Sequence, residues 1–351
     1  MARHRGAIGV DIGSAAIKIV ELSGDGQTAE GGGTVRTAVS ASTPPGTLDE
    51  GQIKDVPAVG RTLRELIQGA GVRTRRAAAA VNGQVALMRE VRMPQLPPDE
   101  IRQAARFEVE RYLPYPIAEV TFDTVVLGES KENGNSRVDV LIVAARTDVL
   151  RRHAAVLQAA GLEPVVVEVE PLAVVRAVAS AATSEQVTAC IHLGSSVTMI
   201  LVAEGQVPRV IRTVAFGTTH LLEAAASHLG TTGEAPDVLR ARLTEAANGD
   251  GAPGLLDAID NSLSSLVTEI RRSLEYYGSR YRAVVPDRVM VTGGGAALPG
   301  VAASLTGALD MPVACGDPFT DLGGSPQGVS PDAGPAYAVA AGLARRGVDE
   351  P

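Results

Sequence analysis

The sequence predicts a two-lobed α/β protein with a small α+β subdomain inserted into its first lobe. Three observations carry that expectation. At 351 residues the chain exceeds what one core comfortably encloses, so two cores are expected. A strand-to-turn signature occurs twice, first as Ala7-Ile8-Gly9-Val10-Asp11-Ile12-Gly13-Ser14 and about half a chain length later as Ala189-Cys190-Ile191-His192-Leu193-Gly194-Ser195-Ser196. Between the copies, from about residue 88, the texture changes to a run of short strand and helix patterns.

Residues 6–22 alternate as a strand, turn at Gly13-Ser14 and resume as Ile17-Lys18-Ile19-Val20-Glu21-Leu22, so the first turn closes a β-hairpin. The glycine-rich stretch 24–33 reads as a second hairpin. Val59, Leu63, Leu66 and Ile67 fall at helical spacing within 56–70, stopped by Gly69 and Gly71. Residues 76–81 form a strand leading to Asn82-Gly83. Pro97-Pro98-Asp99-Glu100 starts a helix with Ile101, Ala104, Ala105, Val109 and Tyr112 on one stripe, ended by Pro114 and Pro116. Strands at 120–127 and 138–145, a helix at 147–160 stopped by Gly161, and a strand at 165–169 complete a β-α-β-β-α-β unit.

The predicted division is therefore 1–87 for the first lobe, 88–170 for the inserted subdomain and 187–334 for the second lobe. Residues 171–186 and 335–351 return to complete the first lobe. In the second lobe, helices at 221–228 and 258–277 flank a Gly/Pro-rich stretch at 248–254, and a helical subdomain spans about 221–286. A strand at 288–291 runs into Thr292-Gly293-Gly294-Gly295, with a helix expected over 296–301. Residues 323–334 read as a connector, and the closing helix, 335–343, is built from small residues suited to tight packing.

Composition narrows the function classes. The chain is 45% hydrophobic and 21% charged, as globular proteins are. Only 3% of residues are aromatic, with no Trp, so the core must be built from Val, Leu, Ile and Ala. A net charge of −8 argues against general nucleic-acid binding, which needs a basic footprint. No apolar run reaches a membrane span, so direct insertion is not expected. The basic start, Met1-Ala2-Arg3-His4-Arg5, precedes an apolar stretch broken by Asp11, which a signal peptide would not tolerate. Cys190 and Cys315 sit among apolar or small residues and read as reduced core thiols of a cytoplasmic protein.

The turns carry the chemistry. Gly13, Ser14 and Ala15 let backbone N–H groups approach phosphate oxygens that a bulky side chain would block. Asp11, at the strand end, is placed to hold a hydrated divalent cation on those phosphates, and Lys18 to supply a point charge. The bland alternative is an ordinary hairpin with a capping Asp. Gly194, Ser195 and Ser196 offer the same backbone from the opposite lobe. Gly293, Gly294 and Gly295 after an apolar strand suggest something flat against the backbone, here ribose and adenine, unless they form only a permissive loop. Glu269, Arg272 and Ser273 lie on neighbouring faces of a helix, where a solvated surface is the other reading.

Together these features resemble the actin/Hsp70/sugar-kinase ATPase superfamily, whose lobes are ribonuclease H-like repeats, and within it the PilM branch, related to FtsA. Four stretches carry the likeness: 10–22; Leu96-Pro97-Pro98-Asp99-Glu100-Ile101 with Phe107-Glu108 and Arg111-Tyr112-Leu113-Pro114-Tyr115-Pro116; Arg271-Arg272-Ser273-Leu274-Glu275-Tyr276-Tyr277; and Pro335-Ala336-Tyr337-Ala338-Val339-Ala340-Ala341-Gly342-Leu343. The resemblance implies an actin-like fold with ATP or ADP and Mg2+ between the lobes, the phosphates on 11–15 and 194–196. It implies adenosine against Gly293 to Gly295 and the Glu269/Arg272/Ser273 helix, and Glu170 near the attacking water or the metal. It further implies a cytoplasmic adaptor of type IV pilus assembly, recruited to the inner membrane by docking the N-terminal tail of a PilN-like protein near Tyr112, Leu113 and Tyr115. A PilO-like protein and the pilus motor ATPases would connect to it only indirectly. The superfamily usually has Asp where His192 stands, so at most weak ATP hydrolysis is expected.

Two other readings compete. A sugar or small-molecule kinase needs a catalytic Asp beside a glycine turn, and Asp49, Asp55 and Asp99 lack that setting. An FtsA-like division filament protein would end in a basic amphipathic helix, whereas this sequence closes on Arg345-Arg346-Gly347-Val348-Asp349-Glu350-Pro351.

Overall fold

The computed structural model describes residues 6–23, 33–113, 115–132, 135–179, 186–281, 285–324, 326 and 328–349. The hairpin expected over 24–33 lies almost wholly outside the described residues.

The first lobe opens with β1 (Ala7–Ile12), β2 (Ala16–Leu22) and β3 (Val35–Ser42), an antiparallel meander. A short hairpin, β4 (Leu48–Asp49) and β5 (Gln52–Ile53), leads to α1 (Val56–Gly69), whose first turn is capped by the Asp55 carboxylate accepting from Ala58 N–H. Next, β6 (Arg76–Val81) runs parallel to β1. The chain then leaves the lobe through β7 (Ala86–Pro94), α2 (Pro98–Tyr112), β8 (Val120–Glu132) and β9 (Asn135–Arg146), a three-stranded antiparallel sheet in the order β7-β9-β8 with α2 packed on it. It returns as α3 (Thr147–Ala159), β10 (Glu163–Val169) and α4 (Glu170–Val178).

This return corrects the expected subdomain boundary at residue 170. The strand β10 pairs in parallel with β6 and forms the edge of the first-lobe sheet, β10-β6-β1-β2-β3. Helix α3 lies against α1 so closely that a Cβ on Gly60 would stand 2.7 Å from that of Ala159, and Val156 and Leu157 belong to the first-lobe core. The inserted unit therefore ends near residue 146. Alternation along a strand shows that it has a buried face, not which sheet it joins.

The second lobe repeats the plan with β11 (Val187–Leu193), β12 (Thr198–Glu204), β13 (Val207–Val214), α5 (Thr218–Leu229), α6 (Pro236–Ala247), α7 (Leu255–Tyr281), β14 (Arg288–Thr292), α8 (Val301–Leu309) and β15 (Val313–Cys315). Its sheet, β13-β12-β11-β14-β15, has the same order and strand directions as the first, with β11 in the place of β1. Helix α6 is unforeseen in the sequence reading. The helix expected over 296–301 is instead a turn segment, with Gly293 and Gly300 at φ 84° and 87°, and α8 begins only at Val301.

Between the two sheets lie α4 and the closing helix α9 (Ala338–Asp349), in a shared core of Ala78, Ala173, Cys190, Leu201 and Leu343 among others. Small residues make this possible. A Cβ on Gly9 would fall 1.9 Å from the Ala340 carbonyl oxygen, and one on Gly342 would fall 1.9 Å from that of Ala173. Backbone in contact with backbone leaves no room for aromatic rings in this layer. Of the two cysteines, Cys190 is buried here, whereas Cys315 is exposed on the edge strand β15 and is not a core thiol. The subdomain also touches the second lobe, where Arg280 Nη2 and the Tyr281 hydroxyl donate to the Glu90 carboxylate at 2.7 and 2.5 Å.

Candidate functional site: the cleft between two hairpins

Each lobe presents one hairpin turn to the cleft. In β1–β2, Ile12 pairs with Ile17, and Gly13 N–H donates to the Ala16 carbonyl at 3.1 Å. In β11–β12, Leu193 pairs with Thr198, and Gly194 N–H donates to the Val197 carbonyl at 3.0 Å. The glycines are required because a Cβ would approach those carbonyl oxygens to 3.0 and 2.8 Å. The turn tips meet, with the Ser14 and Ser196 hydroxyls 3.2 Å apart. None of the described backbone hydrogen bonds uses the N–H groups of Ser14, Ala15, Ser195 or Ser196. Behind the second turn, Thr218 and Thr219 N–H groups donate to the Gly194 and Ser195 carbonyls at 2.9 and 3.0 Å, bracing it on the start of α5.

A cavity of about 210 Å³ opens under the turns, lined by Asp11, Gly13, Ser14, Ala15, Lys18, Glu170, His192, Gly194, Ser195, Ser196 and Gly294 of the expected set. Asp11 is buried and forms an ion pair with Lys18 at 2.9 Å, across the rung that joins them in the ladder. Glu170 opens α4 with its carboxylate buried, accepting from Asn82 Nδ2 at 3.2 Å. Burial, reinforced by the Asp11 charge, raises its pKa to about 8, so it carries a proton at neutral pH. His192 is buried, and desolvation lowers its pKa to about 4, leaving a neutral imidazole whose Nδ1 has no hydrogen-bond partner.

The remaining expectations fare differently. Gly293 and Gly295 are set by packing: a Cβ on Gly293 would meet the Leu193 carbonyl oxygen at 2.5 Å, and one on Gly295 the Leu193 side chain at 2.3 Å. Only Gly294 has open space beside it and lines the cavity. Glu269, Arg272 and Ser273 are not among the cavity's lining residues. Glu269 pairs with Arg212 of β13 and, at 2.9 Å, with Arg272, while the buried Ser273 hydroxyl donates to the Glu269 carbonyl at 2.8 Å. Ion pairing to the adjacent edge strand holds this helix face. Among the lining residues that escaped the sequence reading are Asn82, Thr218 and Arg240. Asn82-Gly83 stands out as a turn, but no local pattern says that its amide meets Glu170. Arg240 rides on the unforeseen helix α6.

Chemically, four amide N–H groups and Arg240 around a small-residue turn pair fit an anion such as a polyphosphate. A hydrated divalent cation fits less well. Lys18 already neutralises Asp11, Glu170 is protonated, and no cluster of three metal-ligating side chains exists among the described residues.

The expected partner-binding residues line a groove of about 940 Å³ between the β4–β5 hairpin and the subdomain, with Tyr112, Leu113 and Tyr115 on one wall. The Arg89 guanidinium stacks 3.7 Å over the Tyr112 ring. Ser14, Leu48, Gly51, Gln84, Ser196 and Val197 line both this groove and the cleft cavity. Among the described residues no helix is long and apolar enough to cross a membrane.

Comparison with known proteins agrees with this architecture. The solved structure of a PilM–PilN type IV pilus biogenesis complex matches with a TM-score of 0.84 and 29% identity, over 99% of this chain and all of that one. EutJ, an ethanolamine utilization protein from Carboxydothermus hydrogenoformans, matches with TM-score 0.56 and 16% identity over 97% of this chain and 89% of its own. MreB5 of Spiroplasma citri, bound to ADP, matches with TM-score 0.52 and 12% identity over 97% and 95%. These last two likenesses extend only to the actin-like fold. The model of the family described as type IV pilus assembly protein PilM matches residues 9–348. With both lobes, the inserted subdomain and the cleft falling inside that match, this chain belongs to the type IV pilus assembly protein PilM family.

Proposed function

We propose that this protein is an ATP-binding adaptor of type IV pilus assembly that holds the cytoplasmic N-terminal tail of a PilN-like inner-membrane protein. In this role it sits at the inner face of the membrane through that partner, with any PilO-like protein or motor ATPase reached indirectly. The observation that carries the reading is the shared wall: six residues face both the cleft and the groove beside Tyr112, Leu113 and Tyr115. A nucleotide held by the turns at Ser14 and Ser196 would fix one side of the tail's seat. The cleft's chemistry supports slow turnover. A protonated Glu170 cannot take a proton from water, and the neutral His192 cannot order a metal-bound shell as a carboxylate would.

A specific observation favours a second seat for the tail. A groove of about 450 Å³ runs along β10, lined by Phe122, Val125, Val167, Leu172 and Pro208. Because β10 is a sheet edge, an extended peptide there would gain ladder hydrogen bonds while its apolar side chains fill the groove. Calorimetry with a synthetic tail peptide on Leu113→Asp and Leu172→Asp variants separates the seats, since only the variant in the occupied groove loses the heat of binding. Multiple-turnover phosphate release in ATP and magnesium should stay near background. Brisk turnover would remove the adaptor reading in favour of an active ATPase.

A further inference from the structure

The hairpins that frame the cleft are equivalent in register but opposite in chemistry. On the rung before the last in β1–β2, Asp11 faces Lys18, and the two form an ion pair. The same rung of β11–β12 holds His192 facing Met199. All four side chains line one cavity, together with Glu170 and Arg240. The first lobe thus contributes a closed carboxylate–ammonium pair, and the second contributes an imidazole and a thioether, with Arg240 from α6 as its cation. The Arg240 guanidinium makes none of the described hydrogen bonds or ion pairs, although the Asp237 carboxylate one turn earlier on α6 acts on it, whereas Nδ1 of the buried His192 is an unpartnered polar atom in the cavity wall.

A divalent ion on a polyphosphate does two things: it cancels charge, and it orders the oxygens by octahedral coordination to hard oxygen ligands. In this cleft the first task falls to Arg240, since Lys18 is already paired with Asp11. The second falls to the amides of Ser14, Ala15, Ser195 and Ser196. A hydrated magnesium ion would meet no oxygen donor on the His192–Met199 rung, and soft or neutral groups there do not select it. We propose that the cleft takes its nucleoside triphosphate as the metal-free anion, so that magnesium is not needed for binding. This inference rests on the nucleotide reading of the cleft given above.

The test is equilibrium binding of a fluorescent N-methylanthraniloyl ATP to the full chain, in saturating magnesium and in excess EDTA. The wild type should show dissociation constants within about threefold of each other. His192→Asp, and the double variant His192→Asp/Met199→Lys that rebuilds the Asp–Lys rung in the second lobe, should gain about a tenfold preference for magnesium. The double variant covers the case in which a lone buried aspartate fails to fold, which a circular-dichroism melt would reveal. Wild-type binding tenfold or more tighter with magnesium would overturn the inference while leaving the nucleotide reading intact. An absence of binding under both conditions would overturn the nucleotide reading and this inference with it.

Discussion

Glu170 and His192 occupy the same cavity and are both neutral at physiological pH, one because burial holds a proton on, the other because burial keeps it off. Their linkage to stability has opposite signs. Glu170 titrates near pH 4.5 unfolded and near 8 folded, so between these values the folded state binds the extra proton and stability falls as pH rises. His192, and the buried His153 whose pKa is likewise lowered, bind the extra proton when unfolded, so below about pH 6.5 they make stability fall as pH drops. Above about pH 7 these two histidines contribute little. Chemical denaturation of Glu170→Gln against wild type should therefore show the variant losing less stability between about pH 7 and 8, by an amount on the order of 1 kcal/mol. Parallel profiles would mean that the carboxyl group is already ionised in the fold. At the same scale, Gly295→Val should lower stability by about 1–3 kcal/mol in thermal melts, through the collision with Leu193, while Gly294→Ala should stay within about 0.5 kcal/mol. Equal costs would mean that the glycine run is needed for conformation alone. The residues of this site were unevenly legible. Asp11, Lys18 and the two turns could be read because strand, turn and strand are local. The glycine run signals close approach without naming the neighbour, which proves to be Leu193 for two of the three.

The elements divide along a line that sequence alone drew too late. The five strands of the first-lobe sheet all lie outside residues 86–146, and Ala86 pairs with Ala145, so the insertion leaves and returns at adjacent points. Replacing residues 87–144 with a short glycine linker should leave a protein that still unfolds cooperatively and binds nucleotide, while losing the tail peptide. Removing 88–170 instead deletes α3 and β10, strips Val156 and Leu157 from the core and should give no cooperative transition by circular dichroism. A folded product of the longer deletion would mean that α3 and β10 belong to the insertion after all. The elements themselves were legible where period and caps agree, as in α1, β1 and β2. Helix α6 was not, because only Leu239 and Leu243 of its twelve residues are buried hydrophobics, too thin a stripe to stand out. The fate of β10 depends on a partner, β6, that lies more than eighty residues earlier.

At the scale of the whole molecule, two repeats face one another across α4 and α9, and the hairpin tips of Ser14 and Ser196 close the gap above the cavity. The subdomain touches both sides: its covalent ends lie in the first lobe, and Glu90 is held by Arg280 and Tyr281 of the second. A ligand that bridges the turns therefore acts on the distance between the lobes, on the groove wall and on the subdomain's footing together. On the proposed reading, positive cooperativity between nucleotide and tail is the consequence, and thermodynamic reciprocity requires each to tighten the other by the same factor. The most direct test is the fluorescence anisotropy of a labelled PilN-like tail peptide titrated with the full chain, with and without saturating ATP. The account predicts binding about five- to tenfold tighter with ATP present, a coupling of roughly 1–1.4 kcal/mol. Identical affinities in the two titrations would contradict it, since a nucleotide that leaves the tail's seat unchanged cannot be its brace.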